Sequence, residues 1–558
     1  MSNQPQSACP SETVLSVLGV DYVHSITADG GDLYLTRFGR AFRDLLQPEN
    51  WREQDWFAPN RQRLMGTSVV YRVPTKRING RQMDLVVKWC RVGEEVPYDT
   101  VTFRKFAEAE FNGPFEEFSL LMELRSQPVR PRVRTKRPLG IYVPKERLKL
   151  WQTGRSSAKM ESHQAKFRDV ELDMYRQYIL LYQWVDGLSA VEALAQTEPD
   201  LAKRRTTLER LTLRVQDDLA RCGYFVIDHK PVHFILRQRP DGSLLRDPAT
   251  GELAYVLVDF ELLNRTTEHQ QEVQSARRAG YLKSQRDRFL QPPDGTFPPH
   301  LQPAQIMGIN YVCGPTDSTH GMLWVVGRHP ELFDYFLPER WRRTPKRALS
   351  TTNQTFYTRT KDGINLVWKV SRVGEPPETG NPRLRELGYN SPFEEFAIAL
   401  DLSAQGFPTT YPRAIYRCGI ESDCPAVYTL DQRHYETHRH LQAPDGQPLL
   451  NPEHNYLTVW GFWNGVDEVL AAQDRPYCQG INLEQGRMQG FISETEMGEL
   501  METSEQRLKS CGYECLERKP THFLLSLRPD GSLIREEDGT PSVRICNFES
   551  LRKIAQAR

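Results

Sequence analysis

Apolar runs predict strands early in each half of the chain and amphipathic helices later. Val69–Val73 and Met83–Lys88, joined through Asn79-Gly80, have the apolar content and the turn residues of a β-hairpin. From Pro114 onward, apolar residues recur at helical spacing. Ile179–Val185 is a continuous apolar run that is typical of a buried strand. Strands followed by helices predict an α+β fold.

The second half of the chain repeats the first. Asn112-Gly-Pro-Phe-Glu-Glu-Phe118 returns as Asn390-Ser-Pro-Phe-Glu-Glu-Phe396, and Asp259-Phe-Glu261 returns as Asn547-Phe-Glu549. Other matches follow in the same order with a period of about 280 residues, which indicates duplicated domains and not a solenoid. We predict module 1 at residues 1–290 and module 2 at 305–558, with a Pro-rich linker at 291–304.

Composition and charge narrow the class of protein. Hydrophobic residues make up 39% of the chain, and the 72 basic side chains are balanced by 72 acidic ones. This zero net charge supplies no global field for nucleic acid or an anionic membrane, so we expect no nucleic-acid partner. We find no apolar leader and no membrane-spanning run, and the ten cysteines form no C-x-x-C pair. We therefore expect a cytoplasmic protein with reduced thiols and no transmembrane segment.

Module 1 contains the ionisable residues that phosphoryl transfer requires, in the order found in kinases. Lys88 ends an apolar strand, as the lysine that binds nucleotide phosphates does. The next helix offers Glu116 or Glu117 as its partner, and we prefer Glu117 because its neighbours place it on the side of the helix that faces the sheet. Asp228, with Lys230 two residues later, lies where a catalytic loop belongs, and Asp259 ends a strand where a metal-binding aspartate belongs.

Other candidate residues depart from the kinase pattern. The metal ligand expected five residues after Asp228 is His233, and an imidazole favours Mn²⁺ over Mg²⁺ or only donates to phosphates. Gly66 is the single glycine in a phosphate loop that usually has three. The hinge would be the end of the Ile179–Val185 strand, where the backbones of Gln183, Trp184 and Val185 would bind adenine.

These residues resemble a known family. Asp228-His-Lys-Pro-Val-His-Phe-Ile-Leu236, the later Asp259 and the Glu117-Phe118 pair are similar to the bacterial lipopolysaccharide core heptose kinases and related sugar kinases, within the protein-kinase-like superfamily. The resemblance covers about residues 64–265 and again 348–550. It implies a kinase-like fold in each module, with an antiparallel sheet lobe and a reduced helical lobe, and ATP with a divalent metal as cofactors. A leading segment at about 13–60 falls outside the resemblance.

The second copy keeps some of these residues and changes others. Lys369, Glu395 and His522 correspond to the lysine, the glutamate and the histidine of module 1. Glu517 replaces the candidate catalytic aspartate, and Asn547 replaces the candidate metal-binding aspartate. A neutral amide cannot offset the charge of a divalent cation, so module 2 is predicted to be a pseudokinase.

Three functions remain open from the sequence. The first is an ATP-dependent transferase that acts on a hydroxyl of a sugar or another small molecule, with module 2 as a regulator or as a surface for a protein partner. The second is a non-catalytic tandem pseudokinase that acts as an interaction platform. The third is transfer of another part of the nucleotide, such as AMP, because one fold supports several chemistries.

The basic run from Arg130 to Arg137 could contact an acidic substrate, but we expect a solvated strand edge because the run is absent from module 2.

Overall fold

A computed structural model describes the chain from residue 12 to residue 554. The longer gaps lie at 95–110, 153–171, 420–430 and 462–478, and the other gaps are one to four residues long. The chain forms two compact units, one that ends at Val273 and one that begins at Gln274.

The first unit is built on an eight-stranded antiparallel sheet in the order β1-β2-β3-β7-β8-β6-β5-β4. The leading segment is therefore part of the sheet, because β3 pairs with β7. The strands are β1 Thr13–Val17, β2 Val20–Ile26, β3 Asp32–Leu35, β4 Gln62–Arg63, β5 Val70–Pro74, β6 Asp84–Trp89, β7 Pro138–Val143 and β8 Ile179–Gln183.

The predicted hairpin is present as β5 and β6. Val70 lies opposite Lys88 and Pro74 opposite Asp84. Asn79 and Gly80 both have positive φ angles, 50° and 76°, between the bridged residues Ile78 and Arg81. Two consecutive positive φ angles give a turn whose twist matches that of the strands, and asparagine followed by glycine is the residue pair that accepts it most readily.

Helices and short strands complete the first unit. The helices are α1 Arg43–Leu46, α2 Gln54–Asn60, α3 Pro114–Ser126, α4 Ala190–Thr197, α5 Leu201–Arg221 and α6 Thr267–Arg286, the last of which continues past Val273 into the second unit. The short strands are β9 Leu188–Ser189, β10 Tyr224–Val226, β11 Phe234–Leu236, β12 Tyr255–Leu257 and β13 Leu263–Arg265, with a 3-10 turn at Pro231–His233.

The second unit repeats this arrangement. Its eight-stranded antiparallel sheet has the order β14-β15-β16-β20-β21-β19-β18-β17. The strands of this sheet are β14 Gln302–Ile306, β15 Ile309–Pro315, β16 Met322–Val326, β17 Lys346–Ala348, β18 Thr355–Arg359, β19 Asn365–Val370, β20 Tyr411–Arg417 and β21 Tyr456–Gly461. The smaller sheets contain β22 Gln479–Asn482, β23 Tyr513–Cys515, β24 Phe523–Leu527, β25 Arg544–Ile545 and β26 Leu551–Lys553. The helices are α7 Pro338–Trp341, α8 Pro382–Leu387, α9 Pro392–Ala404, α10 Arg433–Thr437, α11 Leu483–Met488 and α12 Glu494–Ser510.

A buried tryptophan lies at a matching place in each unit, where Leu46-Gln-Pro-Glu-Asn-Trp51 returns as Leu337-Pro-Glu-Arg-Trp341. Trp51 and Trp341 are almost fully buried, and each indole N–H donates to a carbonyl five residues earlier, that of Leu46 at 2.9 Å and that of Phe336 at 3.1 Å. A buried indole that satisfies its only donor locally contributes a large apolar surface without a polar penalty.

The predicted α+β class is thus confirmed. None of the helices within the described ranges is long and apolar enough to cross a membrane.

Candidate functional site

Lys88 is the centre of a buried ionic cluster in the first unit. Strand β6 points this side chain into the interior, where only 2% of the residue is exposed. Its ammonium lies 3.2 Å from Glu117 Oε1 and 3.2 Å from Asp259 Oδ1. A third carboxylate, that of Glu261, lies 3.3 Å away. The side chains come from a strand, a helix and the segment after β12, so they are far apart in sequence and adjacent in space.

The electrostatics of this cluster favour the charged form of the lysine. Burial by itself would lower the pKa of Lys88, but the three carboxylates outweigh burial and raise that pKa well above its ordinary value. Burial opposes ionisation of Asp259 as well, yet Lys88 and then His233 hold its pKa below the usual range. The pKa of Glu261 is raised, because burial and the neighbouring carboxylates outweigh the attraction of Lys88.

Helix α3 gives the two adjacent glutamates different surroundings. Glu117 Oε1 accepts hydrogen bonds from Lys88 Nζ and from the hydroxyl of Tyr182. Glu116 Oε2 accepts from the backbone N–H of Gly113 at 2.9 Å, which satisfies a backbone donor at the start of the helix. Glu117 is therefore the carboxylate that contacts the lysine, and Glu116 stabilises the helix end.

The predicted loop residues lie in two groups. His233 Nε2 is 3.6 Å from Asp259 Oδ2. Asp228 instead pairs with Lys230, whose ammonium lies 2.7 Å from Asp228 Oδ1. The backbone connects the two groups, because Lys230 C=O accepts from His233 N–H at 3.0 Å, and His233 C=O accepts from the N–H of the residue before Asp259 at 3.1 Å.

The predicted hinge ends earlier than expected, since β8 stops at Gln183. The amide of Gln183 donates to the carbonyl of Arg137 at 3.0 Å, and the amide of Trp184 donates to that of Asp84 at 3.0 Å. The backbone amides of Gln183 and Trp184, two of the groups expected to bind adenine, are therefore already used within the protein. Gly66 lies outside the described residues.

A cavity of about 410 Å³ lies beside this strand end. Gln183, Trp184 and Val185 line it together with the basic segment that begins at Arg132 and ends at Arg137. Its lining includes neither Lys88 nor Asp259. Residues of the basic run from Arg132 to Arg137 therefore line a cavity, whereas the sequence had indicated that this run is a solvated strand edge.

The second unit contains a corresponding cluster around Lys369. This ammonium contacts Glu549 and lies 3.6 Å from Glu395 Oε2 and 3.4 Å from Asn547 Oδ1. Burial, together with the repulsion of Glu549, raises the pKa of Glu395 to about 7. Asn547 Nδ2 also donates to His522 Nε2 at 3.0 Å, so an amide–imidazole hydrogen bond stands where the first unit has an aspartate facing a histidine.

Sequence reasoning missed Glu261 and its counterpart Glu549. Both follow their motif aspartate or asparagine by two residues, and both contact the buried lysine. Glu261 also accepts a hydrogen bond from the hydroxyl of Ser68 at 2.9 Å. The signal was present, because the glutamate is repeated in Asp259-Phe-Glu261 and Asn547-Phe-Glu549.

Lys136 is a second missed residue. Only 3% of it is exposed, and its ammonium lies 3.6 Å from the centre of the Tyr182 ring and 5.6 Å from that of Phe260. Burial first, and then repulsion by Lys88, lowers its pKa to about 7. The equivalent position of the second unit is Thr410, since Thr135 and Thr409 make the same bridge to β12 and β25.

The charge of the Lys88 cluster is suited to a divalent cation. Three carboxylates share one strongly basic lysine, and the second lysine has a lowered pKa. The 3.6 Å between His233 and Asp259 is close to the separation of roughly 3 Å between neighbouring ligands of an octahedral ion at 2.1 Å. One nitrogen and one oxygen ligand suit Mn²⁺ at least as well as Mg²⁺.

Comparison with known proteins gives little further guidance. No protein-family model matches the chain, and no curated protein does. A solved structure of WaaP in complex with acyl carrier protein covers 45% of this chain and 81% of its own, with 12% identity and a TM-score of 0.21. A TM-score this low is no evidence of a shared fold.

Proposed function

We propose that the first unit is an ATP-dependent phosphotransferase that acts on a hydroxyl group of a sugar or another small molecule, and that the second unit is a regulatory pseudokinase. The observation that supports this most is the contact of Lys88 with one carboxylate from a helix and one from a strand end, both at 3.2 Å. Protein kinases use a lysine with these two kinds of partner to position nucleotide phosphates.

Each residue would have one task. Lys88, held by Glu117, would contact the phosphates, and Asp259 with His233 would hold Mg²⁺ or Mn²⁺. When bound, the metal nucleotide supplies the phosphoryl group and offsets its charge. Asp228 would orient the acceptor hydroxyl and take its proton.

Two further residues would assist this arrangement. Lys230, which pairs with Asp228 at 2.7 Å, would fix the orientation of that carboxylate. Glu261 now contacts Lys88 and Ser68, so phosphates would have to replace it on the lysine.

The test is turnover of ATP by the full chain in the presence of candidate sugars and either metal. Asp259→Asn and Asp228→Asn keep the size of the side chain and remove its charge. We expect each to lower turnover at least 100-fold, in line with the loss of a metal ligand or of a general base.

Glu517→Gln, at the equivalent loop position of the second unit, is the matched control and should leave turnover unchanged. Asp259→Asn should fold, because the second unit packs Asn547 at the same position. Equal turnover by the unmodified chain and both aspartate variants would rule out the enzymatic function.

A non-catalytic platform is the second candidate. It is favoured by the second unit, in which a buried lysine keeps two glutamates although the aspartate is lost. A cluster of this kind therefore forms without the aspartate. A thermal shift of the first unit with ATP and Mg²⁺ or Mn²⁺ separates the candidates, because binding to the folded state raises its stability. A chain that shows no shift with either metal would be a platform.

A further inference from the structure

A second group of metal-ligating side chains lies in the second unit, away from Lys369. Glu394 is in the first turn of α9, and His434 and His438 are four residues apart on α10 and the turn that follows it. Glu394 Oε2 lies 2.9 Å from His434 Nδ1, and one ligand atom of each of the three residues lies within 4.8 Å of the other two. Two histidines at this spacing on a helix present their rings on one side, as in zinc-binding helices.

Hydrogen bonds determine which nitrogen of each ring carries the proton. His434 Nε2 is 3.2 Å from the carbonyl oxygen of Leu387, which can only accept, so Nε2 carries the hydrogen. His438 Nδ1 is 3.0 Å from Thr437 Oγ1, and that hydroxyl donates to the carbonyl of His434. His438 Nδ1 is therefore a donor, which leaves the lone pair on Nε2.

The nitrogens that carry no hydrogen lie near polar groups of α9. His438 Nε2 lies 3.1 Å from Ser391 Oγ, at the residue that caps the helix of Glu394. His434 Nδ1 is buried and lies 2.9 Å from Glu394 Oε2. Because one ligand atom of each of the three residues lies within 4.8 Å of the other two, a cation would stabilise this group.

We propose that Glu394, His434 and His438 bind a zinc ion. Two nitrogens and one oxygen are a ligand set that zinc commonly takes, with water in the fourth position, whereas Mg²⁺ prefers oxygen ligands alone. Tetrahedral ligands at about 2.1 Å stand roughly 3.4 Å apart, so shifts of about 1 Å bring these atoms into range. The carbonyl of Leu387 accepts from the distal nitrogen of His434, which is the outer-shell contact that orients metal-bound imidazoles.

The ion would tie two separate elements together. It would join α10 to the first turn of α9, one residue before Glu395, which reaches Lys369 at 3.6 Å. Zinc would therefore fix the helix that positions a partner of the buried lysine. This role is structural, and it stands whether or not the first unit transfers phosphate.

The test is zinc content of the full chain after treatment with a chelator, reloading with zinc and gel filtration. Glu394→Gln and His438→Gln each remove one ligand. Glu394→Gln retains an oxygen that can accept from the Ser391 amide, so the helix cap is kept. His440→Gln, at an exposed histidine two residues from His438, is the matched control.

We expect the unmodified chain and the His440 variant to hold one equivalent of zinc more than the Glu394 and His438 variants. The affinity for zinc should fall at least 10–100-fold when a ligand is lost. A tenfold excess of Mg²⁺ should not displace the ion. Cobalt loaded in place of zinc should absorb in the visible range in the unmodified chain and not in the Glu394 variant. Equal zinc content in all four proteins would overturn the proposal. So would a chain that takes up no zinc.

Discussion

Lys136 leads to a prediction about stability and pH. Its ammonium is buried against Tyr182 and Phe260, and burial together with repulsion by Lys88 lowers its pKa from an ordinary 10.5 to about 7. Each pKa unit corresponds to about 1.36 kcal/mol, so a shift of about 3.5 units is worth at most about 5 kcal/mol. This is the upper bound on what the buried charge costs the folded first unit.

The direction in which stability changes with pH follows from the protons that Lys136 binds in the folded and unfolded states. Below pH 7 the lysine is charged in both states, and the folded state carries the whole cost. Between pH 7 and 10.5 the unfolded chain binds the proton and the folded chain does not, so the free energy of unfolding rises with pH by about 1.4 kcal/mol per unit. Above pH 10.5 the cost has disappeared.

Lys136→Met removes the ammonium and keeps a long apolar side chain. We expect this variant to be more stable than the unmodified chain at pH 7, and the difference to shrink by about 2 kcal/mol at pH 9. The assay is urea denaturation of the full chain at both pH values.

Lys145→Met, at an exposed lysine of the same unit, should differ from the unmodified chain by the same amount at both pH values. A stability difference for Lys136→Met that does not change between pH 7 and 9 would refute the reasoning.

Two other substitutions test contacts around the buried lysines. Glu261→Gln removes one of the charges that phosphates would have to replace on Lys88. We therefore expect calorimetry to show about tenfold tighter binding of ATP with Mg²⁺, which corresponds to about 1.4 kcal/mol. An unchanged affinity would contradict this expectation. Asn390→Ala removes the amide that donates to the carbonyls of Phe548 and Leu551, both at 2.8 Å. We expect urea denaturation to show that the second unit loses about 2–4 kcal/mol of stability. A loss below about 0.5 kcal/mol would show that these hydrogen bonds contribute little.

The sequence predicted features that depend on neighbouring residues. The Asn79-Gly80 hairpin and the start of α3 at Pro114 follow from turn chemistry and helix-end preferences, and the structure has both. The choice of Glu117 over Glu116 also followed from local spacing, because helical periodicity decides which of two adjacent side chains faces the sheet. These inferences need no knowledge of distant parts of the chain.

Features that depend on distant pairing were not predictable in this way. The basic run around Lys136 reads as a solvated edge, but Thr135 bridges to Leu257 and the amide of Lys136 donates to the same residue, which turns the lysine inward. The sequence also gave no sign that the leading segment belongs to the sheet, which the structure shows by the pairing of β3 with β7. Pairing over a hundred residues or more leaves no periodic signal in either partner.

Comparison of the two units shows which contacts of the lysine clusters occur in both and which occur in the first unit alone. A buried lysine, its helix glutamate and the glutamate after the motif phenylalanine occur in both, and an asparagine before the helix donates to the backbone after that motif in both. These contacts are also present in the second unit, which has Asn547 in place of the aspartate. Stabilisation of the fold is therefore enough to explain them. The case for phosphoryl transfer therefore depends on the two positions at which the units differ, Asp228, where the second unit has Glu517, and Asp259, where it has Asn547. Substitutions at those two positions, followed by measurement of turnover, therefore test most directly whether the protein is an enzyme or a scaffold built on the same cluster.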